Sequence, residues 1–244
     1  MREIETSRPL ELEKAYNVRD LGGYANQKGE KLREKRFLRA DALSRLTDAD
    51  WKKLKEYGVV CVVDLRSPKE LETAPGIPPE NSGIEYHSVP LFDHIQSNDG
   101  TQKIPGSLHE LYVDLLENSR EQISRVLRCF LRYQEGCCLF HCTAGKDRTG
   151  VIAMLLLGLA GVDRDTIAAD YSVSAGYMEL VFAGQREALQ RAGYGKAAFL
   201  LRSDPEEMHR TLEYVNEKYA GIKPYLQELL NEEELDRLKS RMLG

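Results

Sequence analysis

Short apolar runs alternate with helical patterns along the first two thirds of the chain. Residues 59–63 and 137–141 are apolar on both faces of a strand, which is typical of buried parallel strands, and residues 84–89 form a shorter strand candidate. A helix that Thr47 caps and Gly58 ends precedes the first of these strands. Further helices are predicted over residues 107–117, 119–135 and 149–160. The alternation indicates an α/β fold with a parallel sheet.

The last third of the chain carries helical spacing alone, from about residue 162 almost to the end. The breaks in this spacing are Gly193, Gly195, Pro205 and residues 221–224. Residues 90–105 are polar and irregular and predict a loop. We therefore predict one α/β domain over residues 1–244, with a central, mostly parallel sheet flanked by helices and a helical C-terminal region. A functional site is expected at the carboxyl ends of the strands.

Composition and charge narrow the classes of function. The 244 residues are 42% hydrophobic, enough to bury a sizeable core, and the formal net charge of −5 argues against nucleic acid as a partner. The first residues are too charged for a secretory signal, and no apolar run approaches the ~20 residues that span a bilayer. Five cysteines, an odd number, do not indicate a disulfide framework, and they lack zinc-site spacing. We expect a cytoplasmic protein without a transmembrane segment.

The most informative stretch is residues 141–150, with the sequence HCTAGKDRTG. It joins the end of a predicted buried strand to the start of a predicted helix. Unpaired N–H groups and the positive end of the helix dipole meet at such a junction and favour a bound anion. The same field favours the thiolate, which is the nucleophilic form of cysteine. The stretch therefore predicts a nucleophilic Cys142 in an anion-binding loop.

Individual residues of this loop suit a bound phosphate. Arg148 can grip two phosphate oxygens at once, where a lysine offers only a point charge. Gly145 permits a tight curl with the backbone amides turned inward. The hydroxyl of Thr149 can donate a hydrogen bond to the sulfur of Cys142 and so help the sulfur to leave phosphorus in a hydrolysis step. His141 can hydrogen-bond to the backbone near the loop. We predict phosphate binding by Thr143, Ala144, Gly145, Lys146, Asp147 and Arg148.

The pattern His-Cys-x-x-Gly-x-x-Arg-Thr resembles the phosphate-binding signature of the protein tyrosine phosphatase superfamily. With Lys-Asp before the arginine, it is similar to the bacterial and fungal branch of atypical tyrosine, dual-specificity and lipid phosphatases. Further blocks similar to that branch follow its order: NVRDLGG at 17–23, FLRADALSRL at 37–46, and VDLRS at 63–67 with Glu70. The resemblance covers most of residues 15–175. It implies hydrolysis of phosphate monoesters through a cysteinyl-phosphate, on phosphotyrosine and also phosphoserine or phosphothreonine, or else on phosphoinositides.

The leaving oxygen needs a proton, and two aspartates are candidates for its donor. A positioned carboxylic acid contributes about 10²–10⁴-fold to the rate. Asp147 lies within the loop, where the resembled branch carries Lys-Asp, and Asp93 follows the predicted strand at 84–89. Asp147 is favoured because covalent geometry fixes its distance from the phosphate. The alternatives are an ion-pairing role for Asp147 beside Arg148 or Lys146, and a solvated loop position for Asp93.

Two further cations bear on the substrate. Lys146 adds a second positive charge beside the bound phosphate, which suits substrates with several phosphates; alternatively it is solvated or pairs with Asp147. Arg66 ends a strand on the same side as the loop, where it reaches the substrate or pairs with Glu70. A polar network at the base of the site is expected from Asn17, Arg19 and Asp20.

Two other classes of protein fit parts of the pattern. A rhodanese-type sulfurtransferase also places a cysteine between a strand and a helix, but Arg148 followed by Thr149 argues against it. A non-catalytic module for phosphorylated ligands generally lacks the cysteine or the arginine, and both are present. The sequence thus predicts a phosphatase whose partner is a phosphorylated protein or a phosphoinositide. No metal or other cofactor is needed, because Arg148 and the helix terminus supply the positive charge.

Overall fold

A five-stranded sheet organises the computed structural model, which describes residues 9–91 and 105–243. The strands are β1 (Arg19–Asp20), β2 (Phe37–Ala40), β3 (Val59–Asp64), β4 (Glu85–Ser88) and β5 (Cys137–His141). Their spatial order is β1-β2-β5-β3-β4; β2, β5, β3 and β4 run parallel, and β1 pairs antiparallel with β2 at one edge. The predicted α/β fold with a mostly parallel central sheet is confirmed.

Helices alternate with the strands and then form the C-terminal part of the chain. Within the described ranges they are α1 (Asp48–Tyr57), α2 (Pro68–Thr73), α3 (Leu108–Asn118), α4 (Arg120–Leu131), α5 (Asp147–Leu159), α6 (Arg164–Tyr177), α7 (Glu179–Arg191), α8 (Pro205–Tyr219), α9 (Ile222–Gln227) and α10 (Glu232–Leu243). Two 3-10 helices cover Glu80–Ser82 and Gly195–Leu201. None of these helices is long and apolar enough to cross a membrane.

The central strand β5 is buried on both faces because its side chains alternate between two cores. Cys138 and Phe140 face the larger core, which α3, α4, α5 and the C-terminal helices cover. Cys137 and Leu139 face a smaller core beneath α1 and the N-terminal segment. This double burial is the pattern that predicted a parallel strand. It fixes the end of β5, and hence the start of the loop that follows, inside the fold.

The residues that predicted the start and the end of α1 make the expected contacts. The Thr47 side chain accepts a hydrogen bond from the backbone N–H of Asp50, and the Asp50 side chain accepts one from that of Thr47, so a capping box starts α1. Gly58 ends α1 with a φ of 107°, in the left-handed region. The helix predicted over 149–160 begins two residues earlier, at Asp147. Of the loop predicted over residues 90–105, residues 92–104 lie outside the described ranges.

Candidate active site

The predicted phosphate loop lies where β5 ends and α5 begins. Two backbone hydrogen bonds hold the start of the loop. The N–H of Leu65 donates to the carbonyl of His141 at 2.9 Å, and the N–H of Ala42 donates to the carbonyl of Thr143 at 3.0 Å. Cys142 is only 2% exposed at this position. The sulfur therefore sits recessed at the carboxyl end of the sheet, as the sequence predicted for the site.

Gly145 is required by the curl of the loop. Its φ is +64°, and a Cβ at this position would lie 2.4 Å from the carbonyl oxygen of Ala40 and 2.7 Å from the nitrogen of Asp41. Both neighbours are backbone atoms at the end of β2, so they cannot move aside like a flexible side chain. Only glycine combines this conformation with such a close approach.

The carbonyl groups of the loop are held from outside. Asn17 Nδ2 donates to the carbonyls of Ala144 at 2.9 Å and Gly145 at 3.2 Å, and Arg39 Nη2 donates to the carbonyl of Gly145 at 2.8 Å. In a trans peptide the N–H points opposite to the carbonyl. The N–H groups of Gly145 and Lys146 are therefore directed away from these donors, toward the interior of the loop. This is the arrangement that binds an anion.

A buried ionic cluster supports these donors. Asp170 on α6 accepts Arg19 Nε on Oδ1 at 2.9 Å and Arg39 Nη1 on Oδ2, and all three side chains are no more than 1% exposed. Burial, together with the neighbouring Arg19, lowers the pKa of Arg39 to about 10. Burial alone would raise the pKa of Asp170, but the two guanidinium groups overcome it and lower that pKa. Arg19 also donates to the side-chain oxygen of Asn17, which links the cluster to the loop.

The predicted network at the base of the site is thus partly correct. Asn17 and Arg19 belong to it, whereas Asp20 accepts hydrogen bonds from the backbone N–H groups of Gly22 and Lys35 and braces the turn between β1 and β2. Sequence reasoning missed Asp170. Its position on the buried face of α6, in register with the buried Ile167, Tyr171 and Ser174, was the available signal.

Arg148 forms a bidentate ion pair with Glu70. Its Nη1 and Nη2 lie 2.8 Å from the two carboxylate oxygens, and the hydroxyl of Thr143 donates to the same carboxylate. Burial would raise the pKa of Glu70, but Arg148 and Thr143 lower it to about 2. Glu70 also accepts the backbone N–H of Ser67 at 2.8 Å, as the third residue of the capping box of α2. The start of α2 therefore sets the orientation of the guanidinium group.

Arg66 forms its ion pair with Asp64, and its expected contact with the substrate stays a prediction. It is 1% exposed and packs against Asp64, with Nε 3.0 Å from Oδ1 and Nη2 2.7 Å from Oδ2, while Nη1 donates to the carbonyl of Ala74. Glu70 pairs with Arg148 instead, because the capping box turns its carboxylate toward the loop. In this arrangement Arg66 supports the end of β3.

His141 and Thr149 lie inside the site as expected, with different contacts. His141 Nδ1 donates to the carbonyl of Cys142 at 3.1 Å, and its Nε2 lies 3.2 Å from Asp64 Oδ2. Burial would raise the pKa of Asp64, but His141 and Arg66 overcome it and hold that pKa below its usual value. The hydroxyl of Tyr86 also donates to Asp64 Oδ2 at 3.0 Å. The buried hydroxyl of Thr149 has no hydrogen-bond partner among the described residues. Its bond to the sulfur of Cys142 is not formed here and stays a prediction.

The neighbouring charges Lys146 and Asp147 make contacts within the protein. Lys146 is buried, which excludes the solvated alternative, and its Nζ donates to the carbonyls of Leu200 at 2.7 Å and Arg202 at 2.5 Å. The same Nζ lies 3.2 Å from Asp147 Oδ1, so the predicted ion pair between the two is formed. Asp147 Oδ1 also accepts the hydroxyl of Tyr112 at 2.7 Å. Asp93 lies outside the described residues.

The strand-to-helix loop thus combines a recessed cysteine, an oriented arginine and inward backbone amides around one point. This combination suits a cysteine-dependent phosphatase, because an oxyanion at that point would meet a thiol, a bidentate cation and hydrogen-bond donors together.

Comparison with known proteins agrees with this class. A family model described as the tyrosine phosphatase family matches residues 10–244. A tyrosine-protein phosphatase of Nostoc commune is 34% identical over 227 residues, which cover 84% of this chain and 74% of the relative. The triple specificity protein phosphatase PtpB of Mycobacterium tuberculosis is 31% identical over 193 residues, which cover 66% of this chain and 67% of the relative. The chain belongs to the tyrosine phosphatase family, whose members hydrolyse phosphoric monoesters.

Among solved structures, the crystal structure of P. aeruginosa TpbA is similar at 16% sequence identity and a TM-score of 0.43, over 86% of this chain and 98% of that chain.

Membership of the tyrosine phosphatase family sets aside the sulfurtransferase alternative, and the family's activity favours an enzyme over a binding module.

The cluster around Asp170 predicts a specific stability loss. Asp170→Asn removes the carboxylate charge that lies between two buried guanidinium groups. We expect the free energy of unfolding, measured with urea, to fall by about 3–5 kcal/mol. Since the pKa of Asp170 is lowered in the folded state, its contribution is present at neutral pH and is lost as the pH falls through that pKa. The difference between the two proteins should therefore shrink in acid. Asp165→Asn, at a mostly exposed position on the same helix, is the control and should change stability little.

Proposed function

We propose that this chain removes phosphate from phosphotyrosine in proteins, and also from phosphoserine and phosphothreonine, through a cysteinyl-phosphate intermediate. The observation that carries the proposal is the loop at the start of α5, which holds Cys142 and Arg148 around one anion-binding point. The whole of residues 1–244 acts as one phosphatase domain in this proposal, in keeping with the family match over 10–244. A thiol nucleophile also needs a reducing compartment, so we place the protein in the cytoplasm.

The first step transfers the phosphoryl group to sulfur. The Cys142 thiolate attacks phosphorus in line while the bond to the ester oxygen breaks. Arg148 and the backbone N–H groups of residues 143–148 hold the three equatorial oxygens and stabilise the charge that they carry in the transition state. Asp147, in its protonated form, gives its proton to the departing oxygen. Asp93 is the alternative donor.

The second step releases inorganic phosphate. The same aspartate, now a carboxylate, takes a proton from a water molecule as that water attacks phosphorus and the sulfur–phosphorus bond breaks. The electron pair of that bond returns to Cys142 as a thiolate. The unpartnered hydroxyl of Thr149 supports a role here, because a buried hydroxyl with unused hydrogen-bonding capacity can donate to the sulfur as its charge returns.

The substrate class rests on the relatives and on Lys146. The relative from Nostoc commune is named a tyrosine-protein phosphatase, and PtpB is named a triple specificity protein phosphatase, which supports a phosphoprotein substrate with broad specificity. The phosphoinositide alternative relies on Lys146 meeting a second phosphate group. Its ammonium group contacts two carbonyls and Asp147, and these contacts would have to break first. We therefore favour the phosphoprotein substrate.

The nucleophile is tested by Cys142→Ser on matched phosphotyrosyl, phosphoseryl and phosphothreonyl peptides. The variant keeps the shape of the loop and should bind the phosphotyrosyl peptide without releasing phosphate, because a hydroxyl lacks the nucleophilicity of the thiolate. Phosphate release and peptide binding are measured separately. Cys129→Ser, at a partly exposed cysteine away from the loop, is the control and should retain activity. Turnover by Cys142→Ser would overturn the cysteinyl-phosphate mechanism.

The proton donor is tested with esters whose leaving groups differ in basicity. Asp147→Asn should lower kcat on an alkyl or phenyl phosphate by about 10²-fold or more, since such leaving groups depart only with a proton. On p-nitrophenyl phosphate, whose leaving group departs readily as an anion, the loss should be much smaller. Asp93→Asn is run in parallel. If that variant alone shows the dependence on leaving group, Asp93 is the acid and the assignment of Asp147 is wrong.

The role of Lys146 separates the two substrate classes. Lys146→Ala should lower kcat/KM on a phosphotyrosyl peptide and on a phosphoinositide by the same factor, because the change removes a tether of the 195–202 segment and not a contact to a second phosphate. Lys196→Ala, an exposed lysine of that segment, is the control. A markedly greater loss on the phosphoinositide would favour the inositol lipid alternative.

A further inference from the structure

The carboxylate of Asp147 is held on one side and open on the other. Oδ1 accepts the hydroxyl of Tyr112 at 2.7 Å and lies 3.2 Å from the ammonium group of Lys146. Within residues 9–91 and 105–243, no hydrogen bond or ion pair reaches Oδ2, and the side chain is 22% exposed. The two oxygens of this carboxyl group therefore differ in their surroundings, and Oδ2 is the one available to a bound molecule.

The hydroxyl of Tyr112 belongs to a chain with a defined direction. Its oxygen lies 2.5 Å from that of Tyr171, and each tyrosine has a single hydroxyl proton. Since Tyr112 donates to Asp147, the proton between the two tyrosines must come from Tyr171. Burial is the first cause that raises the pKa of both tyrosines well above the usual value, so both remain donors throughout the working pH range. Hydrogen bonds arranged in such a chain strengthen one another.

Packing holds this chain in place. Tyr112 and Tyr171 are no more than 1% exposed, and their rings meet edge to face with centroids 5.7 Å apart. Tyr112 comes from α3 and Tyr171 from α6, so the chain joins two helices to the first residue of α5. Gly150 leaves room for it, because a Cβ there would approach the Tyr171 ring to 3.3 Å.

We propose that Tyr112, itself held by Tyr171, is a positioning residue that keeps the proton of Asp147 on Oδ2 and aims it at the leaving oxygen. A proton on Oδ1 would displace the hydrogen bond from Tyr112 and would lie beside the Lys146 cation, whereas Oδ2 has neither obstacle. The acid thus carries its proton on the outward oxygen, in a fixed orientation. The inference rests on the proposed function, in which Asp147 is the proton donor.

The test compares Tyr112→Phe with wild type across aryl and alkyl phosphates. The variant keeps the ring and removes only the hydroxyl, which donates to Asp147 and accepts from Tyr171. We expect kcat/KM to fall about 10-fold on phenyl phosphate, a part of the ~10²–10⁴-fold that a positioned acid contributes, and by less than about twofold on p-nitrophenyl phosphate. Tyr171→Phe should give a smaller effect with the same dependence on leaving group, because it removes the chain's second member.

The matched control is Tyr225→Phe. Tyr225 is equally buried and donates to the carbonyl of Leu116 at 2.8 Å, at the other end of α3. Tyr112→Phe loses two buried hydrogen bonds and Tyr225→Phe loses one, so both should be less stable in thermal unfolding, Tyr112→Phe by the larger amount. Only Tyr112→Phe should change the dependence of kcat/KM on the leaving group.

The double variant Tyr112→Phe with Asp147→Asn distinguishes the outcomes. If Tyr112 acts through Asp147, the double variant should be no slower on phenyl phosphate than Asp147→Asn alone. Multiplied losses, or equal losses of Tyr112→Phe on both esters, would mean a merely structural role and would overturn the inference while Asp147 remains the acid. An Asp147→Asn variant with normal turnover of phenyl phosphate would instead show that the acid assignment has failed.

Discussion

The carboxylate of Asp170 holds two fully buried guanidinium groups, and the shape of the phosphate loop depends on it. Without this charge, Arg19 and Arg39 would face each other unpaired in the interior, where an uncompensated ion is costly. Arg39 donates directly to the loop at Gly145, and Arg19 orients Asn17, which donates to the loop at Ala144 and Gly145. One residue of α6 thereby fixes which way the loop's peptide groups face, and the inward amides follow from that.

The parts of the protein that sequence could predict are those set by neighbouring residues. β5 is recognisable because a buried parallel strand must be apolar on both faces, and α1 because its cap and its terminal glycine are local. The loop is recognisable because its cysteine, glycine and arginine lie within seven positions. β2, a strand of four residues at 37–40, was recognised only as part of a motif, since its length leaves little pattern.

The remaining features depend on partners that are distant along the chain. Asp170 shows in the sequence only its place on the buried face of α6, and Tyr112 and Tyr171 carry no sign of their roles, because each residue acquires its role from a partner on another element. The ion pair of Arg66 is with Asp64, two residues before it, and not with Glu70 as one alternative had it, because the capping box of α2 directs Glu70 toward Arg148. Spacing in sequence reports proximity, but the direction of a side chain also depends on which partner lies closest in the fold.

Three consecutive charged residues of the loop, Lys146, Asp147 and Arg148, contact partners on three different elements because of the geometry of the helix start. Successive residues at the start of a helix are turned by about 100° from one another. Lys146 accordingly points to the carbonyls of the 195–202 segment, Asp147 to Tyr112 and Arg148 to Glu70. Each charge is thus oriented by a different element, although Lys146 Nζ and Asp147 Oδ1 also form an ion pair at 3.2 Å.

For Arg148 this orientation has a catalytic consequence. Glu70 stays ionised at neutral pH because its pKa is about 2, and its two oxygens fix the plane of the guanidinium group before any substrate arrives. The negative charge of Glu70 opposes the phosphate, but the arginine needs no reorientation in the transition state. Preorganised charge stabilises a transition state more than charge that must first reorganise. In the proposed mechanism Glu70 is therefore the residue that orients the arginine, although the same carboxylate weakens the attraction for the free anion.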